Sequence, residues 1–294
     1  GTLPEVPALA LNTTVSGTLA TSTERDSYAF TLTETKRLYF DSLTSQGNLN
    51  WTLTGPQGPV VSSRWFDYSD SADGLSLLDL PPGDYVLRVT GAATAYSFRL
   101  LELTSATVYA PGTPEFRTLT PANSTDLFRF DAEAGQRFFF DVTARVGGDV
   151  YWRLLDPFGR VVFGPGNINN VWQDVDVTTL AMTGTYTLLV EGRRSNSGTV
   201  SYGFNVWPVS DDTTELVLDT QTSGSISQPG QRDLYTFTLA EDRRLYFDSL
   251  SGYDRPLWTL VGPRGTVVAS QSFAYGEPVG AGTNPLLDLP AGDY

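Results

Sequence analysis

The heptapeptide RLYFDSL stands at residues 37–43 and returns, letter for letter, at residues 244–250. A match of that length and separation constrains the fold more than any other feature, because it marks a duplicated unit far larger than a solenoid repeat. The heptapeptide sits inside a longer pattern. An aspartate precedes an alternating strand three times: Asp26 before SYAFTL (27–32), Asp126 before LFRFDA (127–132), Asp233 before LYTFTL (234–239). RFFFDVT (137–143) is the middle counterpart of the heptapeptide. WTLTGPQGPVV (51–61), WRLLDPFGRVV (152–162) and WTLVGPRGTVV (258–268) follow, each reading as two strands around a Pro-x-Gly turn. LLDLPPGDY (77–85), TLAMTGTYTLLV (179–190) and LLDLPAGDY (286–294) come next, and AYSFRL (95–100) and SYGFNV (201–206) close the first two copies.

Period-two alternation between Gly, Pro, Asn and Asp turns runs through every copy, and helical periodicity is almost absent. Copies of this length carry their own cores, so the expectation is all-β: three tandem β-sandwich domains at 1–104, 105–209 and 210–294. Copies one and three agree with each other better than either agrees with copy two, an A–B–A alternation. The third copy stops at Tyr294, the counterpart of Tyr85, and lacks equivalents of VLRVTG (86–91) and AYSFRL. That truncation reads as a window on a longer protein, or as strands supplied by another molecule. The connections near 103–107 and 207–213 are short and poor in Gly and Ser, which predicts a stiff rod.

The Gly-x-Leu opening (Gly17-Thr18-Leu19), Asp-x-Tyr-x-Phe (Asp26, Tyr28, Phe30), the Pro-x-Gly hairpin and the late Gly-Asp-Tyr strand together resemble bacterial pre-peptidase C-terminal domains. Copy two departs at its opening, where Arg117 replaces the glycine. The resemblance implies jelly-roll-like sandwiches attached to secreted proteases and surface proteins, hence an extracellular, accessory, non-catalytic role at the bacterial surface. Relatives in clostridial collagenases bind calcium and collagen.

Composition excludes more than it proposes. There is no histidine and no cysteine, which removes the commonest general base and every Ser-His or Cys-His pair. A formal net charge of −14 opposes nucleic acid, and no apolar run is long enough for a membrane span. No G-x-S-x-G or P-loop motif occurs, so no enzyme is expected.

Trp51, Trp152 and Trp258 open apolar strands and read as core anchors. The segments after each hairpin are unrepeated: 62–74, 163–176 and 270–282. They carry Arg64, Trp65, Phe66, Tyr68, Trp172, Phe273 and Tyr275, either a contact surface for a polysaccharide or matrix protein or rings folded back over a sandwich edge. Asp67, Asp70 and Asp73 in the first segment, and Asp211, Asp212 and Glu215 near the second connection, supply oxygens of the type calcium takes, though solvated acidic turns have the same composition. No other cofactor is implied. The expected partners are other copies of the chain or further repeats of it. The leading reading is a structural or adhesive segment of a long surface or filament protein; the alternative is a binding module of a secreted hydrolase.

Overall fold

In a chain whose only helical elements among the described residues are short 3-10 turns, strands with one large apolar face bury it by stacking two sheets, and this chain does so repeatedly. The computed structural model describes residues 6–168, 173–250, 256–273 and 286–294. Two compact units divide it, residues 1–209 and residues 210–294.

The first sandwich comprises β1 (Val15–Thr18), β2 (Asp26–Leu32), β3 (Lys36–Ser42), β4 (Leu49–Gly55), β5 (Gly58–Trp65), β6 (Leu77–Leu80), β7 (Gly83–Gly91) and β8 (Ala95–Glu102). Its sheets have the orders β1-β8-β3-β6 and β2-β7-β4-β5, antiparallel throughout. The second contains β9 (Thr107–Val108), β10 (Glu115–Leu119), β11 (Thr125–Ala132), β12 (Arg137–Val146), β13 (Val150–Leu155), β14 (Val161–Asn167), β15 (Val175–Thr179), β16 (Gly184–Gly192) and β17 (Val200–Val209). Its orders, β10-β17-β12-β15 and β14-β13-β16-β11-β9, reproduce the first strand for strand, with β9 added in parallel beside β11. The parallel bridge Ala8–Ala29 is the first sandwich's version of that addition.

Each sandwich has its own core. Phe40 stacks on Trp51 at 4.2 Å in one, and Phe140 meets Trp152 edge-on at 6.2 Å in the other. Both tryptophans are fully buried, as their strand positions predict.

The repeated motifs now have physical reasons. In each Gly-Asp-Tyr or Gly-Thr-Tyr segment the tyrosine hydroxyl donates to a carbonyl four residues back: Tyr85 to Pro81, Tyr186 to Met182, Tyr294 to Pro290. The aspartate of Asp-x-Tyr receives a tyrosine from the last strand, Tyr96 to Asp26 and Tyr202 to Asp126. The opening glycine makes room for this: a Cβ on Gly17 would lie 2.3 Å from the Tyr96 hydroxyl and 2.7 Å from that of Tyr28. Copy two has Phe128 where copy one has Tyr28, and there the space is taken by Arg117, whose guanidinium sits 4.9 Å over the Phe128 ring. The departure from the glycine is thus a matched exchange of two residues.

The second unit contains β18 (Asp212–Glu215), β19 (Asp233–Thr236), β20 (Thr238–Leu239), β21 (Arg243–Tyr246), β22 (Leu257–Gly262), β23 (Gly265–Ser272), β24 (Leu286–Leu289) and β25 (Gly292–Asp293). The pairs β18·β19, β20·β25, β21·β24 and β22·β23 repeat pairings of the first copy. Phe247 stacks on Trp258 at 4.1 Å, as Phe40 does on Trp51. Among the described residues no helix is long and apolar enough to cross a membrane.

Candidate functional site

The first two sandwiches share one compact unit because the outer face of one sheet in each is also apolar. A strand buried on one face alternates; a strand buried on both reads as a continuous apolar run. In β16, Leu188, Leu189 and Val190 are all buried. Leu188 and Val190 point into the second core, and Leu189 joins Leu127 and Leu155 on the outside. Against them pack Tyr39 of β3, Leu101 of β8, and Leu103 and Ala106 of the connection, with Leu75 and Leu77 at the margin. The connection between β8 and β9 is only one 3-10 turn, Leu103–Ser105, and Ala106.

A buried polar cluster crosses this junction. Glu191 of β16 is fully buried and accepts the Nε of Arg153 from β13 at 2.7 Å, the two side chains being 0% and 3% exposed. The same carboxylate accepts the Tyr39 hydroxyl and, at 3.2 Å, the amide of Ser71, both from the first sandwich. Arg153 in turn donates to the main-chain oxygens of Ser71 and Gly74. Each charge therefore has its partner within its own sandwich and hydrogen bonds into the neighbour, which satisfies a buried pair that would otherwise be costly. Burial holds the Tyr39 phenol well above its ordinary range, with Glu191 and Asp70 adding to the effect, so it remains a donor.

Three further contacts frame the cluster. Arg194 donates to the main-chain oxygen of Asp67 and to the Asp73 carboxylate at 2.9 Å. Arg99 pairs with buried Asp41 and reaches the Thr125 oxygen at 2.8 Å. Arg37, paired with Asp79, donates to the Pro157 oxygen at 3.1 Å. The turn that carries Pro157 lies flat on the first sandwich: a Cβ on Gly159, at φ +79°, would fall 2.8 Å from Arg37 Nε and from Leu77 Cδ2.

The residues singled out from sequence are distributed unevenly around this junction. Arg64 and Trp65 belong to β5, so the segment expected as a loop from residue 62 begins as strand. Arg64 donates to Ser76 Oγ at 2.8 Å. Trp65 and Tyr68 are 45% and 59% exposed. Phe66 contradicts the contact reading: it is fully buried and meets Phe40 edge-on at 5.3 Å, closing the first core. Phe273 is its counterpart, half-buried and edge-on to Phe247 at 5.7 Å, so it too is a core plug. Trp172 and Tyr275 lie outside the described residues.

The calcium candidates do not converge. Asp70 is buried and accepts the Ser42 amide at 2.5 Å, Asp73 is neutralised by Arg194, and the main chain of Asp67 is held by the same arginine. Asp212 and Glu215 begin and end β18, three residues apart and so on opposite faces of the strand, and Asp211 has a partner of its own. Among the described residues no three carboxylates gather where one cation would touch them all. The acidic segment of the first copy does not fit calcium because its carboxylates are engaged separately: Asp73 pairs with Arg194 across the junction, and Asp70 is turned inward onto the Ser42 amide.

Sequence reasoning passed over Tyr39, Arg153, Leu155, Leu189 and Glu191. Their signal lay in the comparison of copies. The outward positions Thr52, Thr54, Arg88 and Thr90 of copy one correspond to Arg153, Leu155, Leu189 and Glu191 in copy two, a polar face exchanged for an apolar one carrying an ion pair.

No family model matches the chain, and no curated protein does. Among solved structures, it is similar to the CUB1-EGF-CUB2 domains of human MASP-1/3, at 8% identity and a TM-score of 0.22 over 66% of this chain and all of that one. It is also similar to a protein from Eubacterium rectale assigned as secreted, at 12% identity and a TM-score of 0.20 over 66% of this chain and 74% of that one. TM-scores of this size carry no functional argument.

Proposed function

We propose that the chain is a non-catalytic structural segment of an extracellular bacterial surface or filament protein, in which tandem β-sandwiches are fixed to one another by buried junctions. The observation that carries this reading is the joint within residues 1–209. A flexible string of binding modules needs only linkers between domains, whereas this joint buries an apolar cluster and a charged pair around a three-residue turn. Such a joint resists bending and separation, the property a load-bearing segment requires. The resemblance to pre-peptidase C-terminal domains supports the extracellular setting, and the surplus of acidic residues favours solubility there. An antibody raised against the chain should label the outside of intact source cells; label confined to the cell interior would refute the assignment.

A second reading rests on Trp65 and Tyr68, two exposed aromatics at the end of β5, which are suited to stacking on a sugar ring or a peptide. In that case the chain also adheres. Binding to a glycan or collagen panel that disappears in Trp65→Ala and Tyr68→Ala would establish it, and a panel without any retained ligand would remove it.

A further inference from the structure

The third sandwich repeats the junction face of the first. Tyr246 on β21 corresponds to Tyr39 and pairs across the sheet with Leu286, as Tyr39 pairs with Leu77. Arg244 and Asp288 form the same cross-strand ion pair as Arg37 and Asp79, at the same 2.6 Å. In the first sandwich Tyr39 is fully buried under Leu155 and Leu189 of the second. In the third, Tyr246 is 49% and Leu286 48% exposed. These two residues point outward: their neighbours Phe247 and Leu289 are the ones turned to the inner side, Phe247 stacked on Trp258 and Leu289 2% exposed. An apolar pair on the solvent side of a two-stranded element, flanked by an ion pair in identical register, has no role in its own core.

We propose that this outer face, Tyr246 and Leu286 with Arg244 and Asp288, is a docking surface for a sandwich of the second kind, one carrying counterparts of Leu155, Leu189 and the Arg153–Glu191 pair. The occupant follows from continuity with the joint already described, since the same four residue types in the same register hold such a sandwich once in this chain. The second sandwich of the chain is not available, because the first already covers that surface. Tyr246 then donates to the incoming glutamate, and Arg244 to a carbonyl in the partner's Pro-x-Gly turn. The loop contribution is less sequence-dependent, because Arg153 is received by main-chain oxygens. The inference extends the proposal of fixed tandem sandwiches, and the two fail separately: cell-surface labelling does not bear on which face docks.

The test uses the full chain and two extensions of it past Tyr294, by residues 86–104 of its own sequence or by residues 86–209. The shorter extension supplies only the closing strands, the longer also a complete second-type sandwich. Tyrosine nitration is read by mass spectrometry, with buried Tyr39 as the protected and exposed Tyr68 as the reactive internal standard. Tyr246 should react in the full chain and in the shorter extension. In the longer one its nitration should fall at least about tenfold, which needs only ~1.4 kcal/mol of docking. Leu286→Glu in the longer chain should restore it. Equal nitration in both extensions overturns the proposal, as does concentration-dependent protection in the unextended chain, which would make a second copy the occupant.

Discussion

Glu191→Gln removes one charge from the junction while keeping an oxygen for Tyr39 and Ser71. At 2.7 Å the attraction between Arg153 and Glu191 is about 6 kcal/mol gross for an effective dielectric constant of about 20. Desolvation of two ions offsets much of that, so the pair contributes little net, but losing one partner strands the other in a site that is 3% exposed. The single substitution should therefore cost ~3–5 kcal/mol, a large part of the 5–15 kcal/mol that ordinarily separates a folded chain from its unfolded state. Arg153→Met should cost a comparable amount, and the double variant should recover at least ~2 kcal/mol relative to the sum. Urea unfolding, which leaves the ion pair unscreened, gives the global values. Hydrogen exchange at β3 and β16 shows whether the loss falls on the joint. A cost below ~1 kcal/mol for Glu191→Gln, or additivity within ~0.5 kcal/mol, would refute the reasoning.

Acidity should act on the same unit in an uncommon direction. Burial holds Asp70 and Asp41 above the ordinary carboxylate range; the charges of Asp41 and Glu191 add to it at Asp70, with Arg153 and the Ser42 amide opposing, and Arg99 draws Asp41 part of the way back. Each binds its proton more tightly folded than unfolded, so its contribution is fullest below the unfolded value of ~3.9 and is lost as pH rises through the folded one. The urea midpoint of residues 1–209 should rise between pH 7.5 and pH 5, and Asp70→Asn should flatten that slope; a midpoint that falls over this interval would contradict it. Phe66→Ala should lower stability by ~3–5 kcal/mol, as thermal unfolding would show, because it empties a fully buried ring position in the first core. Gly159→Ala places a methyl 2.8 Å from Arg37 and Leu77 at φ +79° and should loosen the joint by ~1–3 kcal/mol, visible as faster exchange at Leu77 with β13 unchanged.

The strands were legible because alternation is a local property: Tyr28, Phe30 and Leu32 announce a half-buried strand without reference to anything distant. The tryptophan anchors were legible for the same reason. The joint was hidden because it is written in differences between copies. Arg153 in WRLLD and Glu191 in TLLVEG look like ordinary surface charges until the strands are laid side by side with Thr52 and Thr90. Phe66 could be read as either a contact ring or a folded-back one because it sits in an unrepeated segment; its counterpart Phe273, 207 residues on at the spacing of the duplicated heptapeptide, is the signal that favours the core. The acidic run 67–73 was ambiguous in the same manner, since composition cannot show that Arg194, more than a hundred residues later, neutralises Asp73.

Arg153 grips the first sandwich through the carbonyl oxygens of Ser71 and Gly74, and every amino acid offers the same oxygen. At those two positions the segment between β5 and β6 is thereby released from any duty to keep its side chains, provided its backbone path is kept, whereas Phe66, Asp70 and Asp73 are held by theirs. One copy can display a tryptophan and a tyrosine there and another copy something else, while the mason's joint beneath is cut to a single template. Variety outside and uniformity at the seam are, in such a chain, properties of different atoms.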